Sequence, residues 1–474
     1  MSPQVALFTR LVFVDPEVGL CKVKLGAHHG KKNFLNLGKR LTSDCLDMRS
    51  VSFVQRLEID LPGNLFTHAL ALGDIDNDQI NEFVVGNVNG LLCIYKGMST
   101  QPWRLASGLG MVTCVGIGDV CNKGKNFLVC LSGEGWCNIF NVTEVKPRSD
   151  QDASKQDGQE KVEDDVIIAN HVQHIPANTK MLLIHDIDND GQCELVVGHT
   201  DRMVRAYRWV ENTPTETVRF TAGHFVLLQQ WYLPGQFGSL SVNIKSDGSS
   251  MLIVSQPGCN YVELVCVWKE DVKDNKDQNE QHVIYHPIST TRARNPGVST
   301  EIVGHISRGT ESGKDNLYAL CTLDGTLMLV ADDKIQWSHL VDHQLFALSK
   351  LDITGDGKEE VIACAWDGQT YIVDHNKHSV RFHFEENVSA FCAGYYGVDG
   401  HNNATLVYAT FKNRIYLYWN VQLPMIPSSS LLDVMAKDES VQRYLNDLDI
   451  DSTDTCKLRT MYHQYIYGQS SSNG

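Results

Sequence analysis

The chain of 474 residues has little proline, no Cys-x-x-Cys pair and no extended apolar segment. Proline accounts for 13 residues, and the 42% hydrophobic fraction is that of a globular protein, not of a disordered or membrane-embedded one. Without Cys-x-x-Cys pairs, zinc ribbons and thioredoxin-like sites are unsupported. Lys and Arg number 41 against 57 acidic residues, a net charge of −16, so binding to a nucleic-acid backbone is disfavoured.

Catalytic motifs are also missing. The sequence contains no His-Glu-x-x-His, no Gly-x-Ser-x-Gly and no dinucleotide fingerprint that opens a helix. Residues 118–126 (GDVCNKGKN) resemble a phosphate-binding loop, but a strand-like run follows where that loop requires a helix. We therefore predict a protein that is not an enzyme, with no catalytic residues and no required cofactor.

The 14 cysteines do not have the placement of a disulfide framework. Seven lie in short apolar runs that are typical of strands, where free thiols are ordinary in a reducing compartment. These are Cys93, Cys130, Cys193, Cys266, Cys321, Cys364 and Cys392. The apolar run of residues 5–14 is interrupted by Arg10 and follows no basic segment, so we expect no targeting signal and a cytoplasmic protein.

A repeat dominates the chain. Its units consist of an acidic loop, a short apolar strand, a polar turn and a second apolar strand. The clearest copies are residues 73–96, 185–209 and 351–376, and weaker copies are residues 118–142, 243–268, 304–330 and 395–419. The first two units, and the last three, begin roughly 45 residues apart, which is the size of a four-stranded propeller blade, and two polar inserts lengthen the middle units. The sequence therefore predicts an all-β protein, a seven-bladed β-propeller over residues 48–421.

Such a ring must close. Residues 51–59 alternate apolar and polar side chains like a half-buried strand, yet they belong to no repeat. We predict that they supply the outer strand of the last blade, pairing near residues 414–419 and removing the open sheet edges.

Four segments lie outside the repeat. Residues 1–47 are predicted to be a flexible extension, and residues 144–165 and 269–281 to be charged, solvated inserts. Residues 422–474 are predicted to form an amphipathic helical tail that either folds back on the ring or binds a partner. Its apolar positions at helical spacing are Leu431, Leu432, Met435, Val441, Tyr444, Leu445 and Leu448.

Three acidic loops have carboxylates at alternating positions, a pattern that can place hard oxygen ligands around calcium. The candidate structural ligands are Asp186, Asp188, Asp190 and Glu194; Asp74, Asp76, Asp78 and Glu82; and Asp352, Asp356 and Glu360. The alternative is that these aspartates bond their own backbone and hold the loops without metal. The loop at residues 119–127 favours this alternative, because Cys121 and Lys123 stand there at ligand positions.

The acidic loops followed by LVVG-like strands resemble the FG-GAP repeats of integrin alpha-chain propellers. Longer stretches are similar to the family of integrin-alpha FG-GAP repeat-containing protein 2. They are residues 118–126 (GDVCNKGKN), 173–180 (QHIPANTK), 255–259 (SQPGC), 341–348 (VDHQLFAL) and 363–372 (ACAWDGQTYI). Members of that family begin at a methionine matching Met48, so the resemblance implies that residues 1–47 arise from an upstream start in the gene model.

The resemblance implies a non-enzymatic scaffold subunit of KICSTOR, a complex associated with the lysosomal membrane. KICSTOR recruits the GATOR complex to Rag GTPases and restrains mTOR signalling when amino acids or glucose are scarce. Kaptin and the other KICSTOR subunits are the implied partners. Two other classes stay open: an integrin-like adhesion propeller with paired cysteines and glycosylated Asn387 or Asn403, and a propeller enzyme with acidic groups or histidines in its central channel.

Overall fold

The structure of the protein is a computed structural model. The described residues are 48–49, 51, 55–143, 166–212, 223–245, 247–266, 283–287, 295, 297–309, 317–331, 334–426, 442–443, 445–446, 454 and 457–458. The chain divides into two compact units, one of residues 51–423 and one of residues 1–50 with 424–474. Within the second unit, β1 (Met48–Arg49) pairs antiparallel with β30 (Met425–Ile426).

The first unit consists of seven four-stranded antiparallel sheets, which confirms the predicted seven-bladed propeller. Blade 1 contains β3 (Leu70–Gly73), β4 (Glu82–Gly86), β5 (Leu92–Tyr95) and β6 (Arg104–Ala106). Blade 2 contains β7 (Val112–Gly118), β8 (Phe127–Ser132), β9 (Trp136–Phe140) and β10 (His171–His174). Blade 3 contains β11 (Thr179–His185), β12 (Glu194–His199), β13 (Met203–Glu211) and β14 (Gly223–Tyr232).

The remaining blades follow the same order. Blade 4 contains β15 (Leu240–Ile244), β16 (Ser250–Gln256), β17 (Asn260–Leu264) and β18 (Val283–Pro287). Blade 5 contains β19 (Thr300–Val303), β20 (Leu317–Thr322), β21 (Thr326–Ala331) and β22 (Lys334–Leu340). Blade 6 contains β23 (Leu345–Leu351), β24 (Glu360–Ala365), β25 (Gln369–Val373) and β26 (Ser379–His383). Blade 7 contains β27 (Val388–Val398), β28 (His401–Thr410), β29 (Arg414–Trp419) and β2 (Gln55–Asp60).

Blade 7 closes the ring as predicted. Strand β2, from the beginning of the ring sequence, pairs antiparallel with β29, with Leu57 opposite Leu417. Leu57 and Ile59 are buried in a core cluster that also contains Phe83 of blade 1. Strand β2 therefore completes the last blade as its outer strand, and its buried side chains join that blade to the first.

The core is circular because apolar clusters lie between neighbouring blades. Each of the seven junctions has one cluster formed by the facing sheets. Strand β12 is buried along its whole length, whereas the outer strand β10 alternates between half-buried and exposed residues. This is the pattern expected when a sheet is covered on both faces and only its outer strand meets solvent. Gly116 lets blades 2 and 3 approach, since a Cβ there would lie 2.2 Å from Leu182 Cδ1.

Antiparallel order gives the ring two faces. Connections from first to second and from third to fourth strands lie on one face, here called the acidic-loop face. Connections from second to third strands, and from each blade to the next, lie on the opposite face.

All eleven cysteines in the described part of the chain are free, as the sequence predicts. Two of the seven predicted strand positions were wrong: Cys193 lies directly before β12, and Cys266 lies after β17. Each lies just beyond the end of its strand. The predicted extension and the two charged inserts lie outside the described residues.

Candidate functional site

The first acidic loop joins β3 to β4 and is shaped by bonds from its own main chain. The carboxylate of Asp74 accepts hydrogen bonds from the main-chain N–H groups of Asp78 at 3.1 Å and Gln79 at 2.9 Å. One oxygen from each of Asp74, Asp76 and Asp78 lies within 4.8 Å of the other two. Three of the four side chains that the sequence singled out in this loop therefore lie close together.

The same loop shape occurs in a loop that keeps the first aspartate and lacks the acidic residue at the third position. In the loop between β7 and β8, Asp119 accepts main-chain N–H bonds from Lys123 at 2.8 Å and Gly124 at 2.6 Å, although Cys121 occupies a ligand position. The sixth loop position has a left-handed backbone in all four loops, with φ of 73° at Gln79, 68° at Gly124, 85° at Gly191 and 81° at Gly357. Bonds to the first aspartate are thus sufficient to shape such a loop.

A lysine occupies the centre of the first acidic loop. Lys96 Nζ lies 2.5 Å from Asp76 Oδ2, 2.6 Å from Asp78 Oδ2 and 2.8 Å from Glu82 Oε1. Glu82 is fully buried, so its charge requires a compensating partner. The carboxylates that would bind a cation already bind the ammonium group of this chain.

Blade 3 repeats the arrangement with an arginine. Arg208 Nη2 lies 2.9 Å from Asp188 Oδ2, and its Nη1 lies 2.8 Å from Asp190 Oδ2. Its Nε donates to Glu194 Oε1 at 2.8 Å. Asp186 instead accepts a main-chain N–H bond at 2.9 Å from the glycine at the sixth position. The planar guanidinium group therefore binds three of the four predicted ligands.

The third acidic loop, in blade 6, differs. Asp352 accepts main-chain N–H bonds at 2.7 and 2.8 Å, and Asp356 accepts one at 2.9 Å. Thr354 Oγ1 donates to Glu360 Oε1 at 3.3 Å. The register of β24 and β25 places Asp374 where the other two blades have Lys96 and Arg208. This loop therefore has no lysine or arginine at that position.

Burial and ion pairing act together on these groups. Burial raises the pKa of Glu82 and that of Glu194 to about 7, while bonds from Lys96 and Arg208 act in the other direction. Burial lowers the pKa of Lys96, but its bonds to three carboxylates outweigh this effect and raise it overall. The pKa of Arg208 is raised in the same way. Both cations are therefore charged at neutral pH.

The sequence analysis missed a set of polar clasps between neighbouring blades on the acidic-loop face. In each clasp an asparagine side chain bonds to the main chain of the next blade. Asn122 accepts a bond from Cys193 N–H at 2.6 Å and donates to the Cys193 carbonyl at 3.2 Å. Four other asparagine side-chain oxygens accept a main-chain N–H bond from the next blade: Asn77 from Asn126, Asn189 from Ser250, Asn243 from His305, and Asn402 from Asn81. The sequence feature that could have predicted these clasps is the asparagine at the fourth position of three loops.

The predicted tail helix is only partly described. Residues 442–443, 445–446 and 457–458 have helical backbone, and Leu445 is buried, whereas Gln442, Arg443 and Asn446 are exposed. The remaining predicted contact residues lie outside the described part of the chain: Leu431, Leu432, Met435, Val441, Tyr444 and Leu448. Within the described residues, no helix has both the length and the hydrophobicity needed to span a bilayer.

Seven four-stranded blades, three of them with an acidic loop after the first strand, define a β-propeller of the FG-GAP type. The model of the family "Integrin-alpha FG-GAP repeat-containing protein 2" matches residues 96–423. A Mus musculus protein named KICSTOR complex protein ITFG2 is 48% identical over 435 residues, which is 89% of this chain and 96% of the relative. The chain belongs to the integrin-alpha FG-GAP repeat-containing protein 2 family.

Two further comparisons agree. A Bos taurus protein, also named KICSTOR complex protein ITFG2, is 47% identical over 414 residues, covering 83% of this chain and 75% of the relative. The solved structure of BBS1N in complex with ARL6DN, soaked with lead, is 12% identical. It gives a TM-score of 0.50 and covers 78% of this chain and 97% of that chain. This similarity supports the fold alone.

Proposed function

We propose that this chain is a non-enzymatic scaffold subunit of a KICSTOR complex. The observation that carries the proposal is the 48% identity to a relative of that name over 96% of the relative's length. A ring whose polar loops are occupied by internal bonds is suited to a rigid binding role, because its faces and its side remain available to several proteins. In this role the protein would contact kaptin and the other KICSTOR subunits.

We also propose where in the cell the chain acts and which signalling pathway it affects. The chain would act in the cytoplasm and reach the lysosomal membrane surface through the complex. There it would help to bring the GATOR complex to Rag GTPases and lower mTOR signalling when amino acids or glucose are withdrawn. The tail would contribute a further contact to a partner subunit, in which Leu445, buried within this chain, would take no direct part.

The acidic loops would be structural and would require no calcium. In blades 1 and 3, Lys96 and Arg208 supply the positive charge that a bound ion would otherwise supply. The free cysteines also favour the scaffold role over the adhesion alternative, which requires cysteines paired across the fold.

Genetic replacement tests the proposal. Cells lacking their own relative are reconstituted with this chain, and mTOR signalling is followed after amino-acid withdrawal. We expect signalling to fall in reconstituted cells and to persist in cells that carry an empty vector. A chain that is expressed and folded but leaves signalling high after withdrawal would contradict the proposed function.

A further inference from the structure

An exposed aromatic pair lies on the opposite face of the ring, across blades 6 and 7. Trp366, in the turn between β24 and β25, is 45% exposed, and Phe411, between β28 and β29, is 57% exposed. Their ring centroids are 6.1 Å apart, and Phe346 packs edge-on against Trp366 at 5.4 Å. Large aromatic side chains left in solvent are characteristic of binding surfaces, where Trp contributes disproportionately to affinity.

The backbone under this pair is fixed. Trp366 accepts a hydrogen bond from Val388 N–H at 2.9 Å, and Phe411 N–H donates to the carbonyl of Asn387 at 3.4 Å. Both bonds join turns to the segment that connects blade 6 to blade 7. The aromatic rings are therefore presented by a preorganised surface, which reduces the entropy lost on binding.

An open depression of about 440 Å³ lies beside the aromatic pair. Its lining residues are Val298, Leu323, Asp324, Val341, Asp342, His343 and Gln344. The main-chain N–H of Trp366 donates to the Gln344 carbonyl at 3.2 Å, so the depression adjoins the aromatic pair on the same face of the ring. We call the combination of Trp366, Phe411, Asp324 and Asp342 the aromatic–acidic surface.

Carboxylates outnumber cations on this surface, although Arg381 Nη2 lies 3.2 Å from His343 Nε2 in its lining. Asp342 is exposed, and Asp324 Oδ2 is buried in the wall of the depression without a hydrogen-bond partner. Asp367, next to Trp366, is half exposed and lies 2.6 Å from His343 Nδ1. Lys412 lies near the rim, 3.5 Å from Glu386. Carboxylates beside exposed aromatic rings suit a ligand that carries both an apolar anchor and positive charge.

We propose that the aromatic–acidic surface binds a segment of a partner protein in which lysine or arginine residues flank a large apolar side chain. The inference rests on the scaffold function proposed above and assigns one of its contact surfaces. A second copy of the chain fits less well, because each copy has a net charge of −16 and would present the same carboxylates. An anionic lipid surface is disfavoured by the same charge.

A binding measurement on the full chain tests this. The probe is a short fluorescent peptide with a Leu-Trp pair flanked by arginines, and its control has glutamates in place of the arginines. We expect saturable binding of the basic peptide that weakens with salt, and affinity for the acidic peptide lower by about tenfold or more. The double variant Trp366→Ala, Phe411→Ala should lose about tenfold in affinity, and Asp342→Lys about threefold to tenfold.

Matched controls separate binding from folding. Trp136→Ala removes a tryptophan that is 46% exposed in blade 2, and Asp247→Lys reverses an exposed charge on the acidic-loop face; both should bind like the parent chain. If the double variant has a lowered melting temperature, Phe411→Ser alone, at a side chain more than half exposed, replaces it.

Several results would overturn the proposal. The first two are a lack of saturable binding of the basic peptide and a loss of peptide affinity in the Trp136 control equal to that in the double variant. The other two are self-association of the chain that disappears in the Trp366 variant, and tighter peptide binding after truncation at residue 426. The last two would identify a second copy or the tail of this chain as the occupant. If only the proposed binding surface is wrong, KICSTOR subunits still co-purify with the parent chain. If the scaffold function is wrong, they do not co-purify.

Discussion

At the residue scale, a single side-chain cation in each of two acidic loops neutralises the carboxylates that could otherwise bind calcium. Lys96 and Arg208 each lie opposite the buried glutamate of their loop on the neighbouring strand. Removing one of them leaves buried carboxylates without compensation, which is costlier than losing an exposed pair. The same carboxylates would then be free to bind calcium.

We therefore predict that Lys96→Met lowers the free energy of unfolding by about 2–4 kcal/mol. Calcium should restore part of this loss, because it would bind the carboxylates that the ammonium group now binds. Denaturant unfolding with chelator and with millimolar calcium measures both effects. Lys358→Met, at an exposed lysine in the blade 6 loop, is the matched control and should show neither effect.

For the parent chain we expect no effect of calcium removal on thermal stability. Because its two best carboxylate sets already bind Lys96 and Arg208, chelator should leave its melting temperature unchanged. A fall of several degrees on chelation would show that an ion is part of the native ring.

Buried His339 predicts a pH dependence of stability. Burial lowers its pKa to about 4, with nearby Lys377 adding to the effect, whereas the unfolded chain has a value near 6.5. The unfolded state therefore binds more protons between these values, and the stability contributed by neutral His339 is lost as pH falls from about 6.5 towards 4.

In His339→Phe, the difference in unfolding free energy between pH 7.5 and pH 5 should shrink by about 1–2 kcal/mol. Denaturant titrations at the two pH values provide the measurement. His401→Phe changes an exposed histidine and should leave the difference unaltered. Equal pH dependence of the His339 variant and the parent would refute the assignment.

At the element scale, the sequence specified the blades better than the contacts between them. The alternation of apolar strands with polar loops is a local signal, so the seven units and the closing strand could be predicted. The cations could not be found in this way, because Arg208 lies on the third strand of its blade and Lys96 directly after the third strand of its own, so they meet the loops only through strand register. Each follows its buried glutamate by the same number of residues, a spacing whose meaning is clear only once the sheet is formed.

We predict that the asparagine clasps between blades contribute to the stability of the ring. Asn122→Ala removes two hydrogen bonds and leaves the main-chain groups of Cys193 without that partner. We expect the free energy of unfolding to fall by about 1–3 kcal/mol. Asn64→Ala, at an exposed side chain outside the clasps, should change it by less than about 0.5 kcal/mol. Thermal or denaturant unfolding of both variants gives the comparison, and equal effects would exclude a role for the clasp.

At the scale of the whole molecule, ring closure depends on a strand distant in sequence from the blade that it completes. β2 covers β29, and its Leu57 and Ile59 fill the junction between blades 7 and 1. A chain starting at Met48 retains β2, whereas a chain starting at residue 62 exposes the edge of β29 and this core.

We predict that removal of residues 1–47 leaves the melting temperature of the ring within a few degrees of the parent. Removal of residues 1–61 should lower it strongly or cause aggregation. Scanning calorimetry and size-exclusion chromatography of the two truncations provide the comparison. An unchanged ring after the longer deletion would show that closure by β2 is dispensable.

We infer that this ring is a subunit of an assembly. Quantitative mass spectrometry of the tagged full chain, purified from cells grown with and without amino acids, gives the sharpest test. We expect kaptin and the other KICSTOR subunits at amounts comparable to the chain itself, in both conditions. Recovery of the chain alone, or with extracellular matrix proteins and glycans on Asn387 or Asn403, would contradict it.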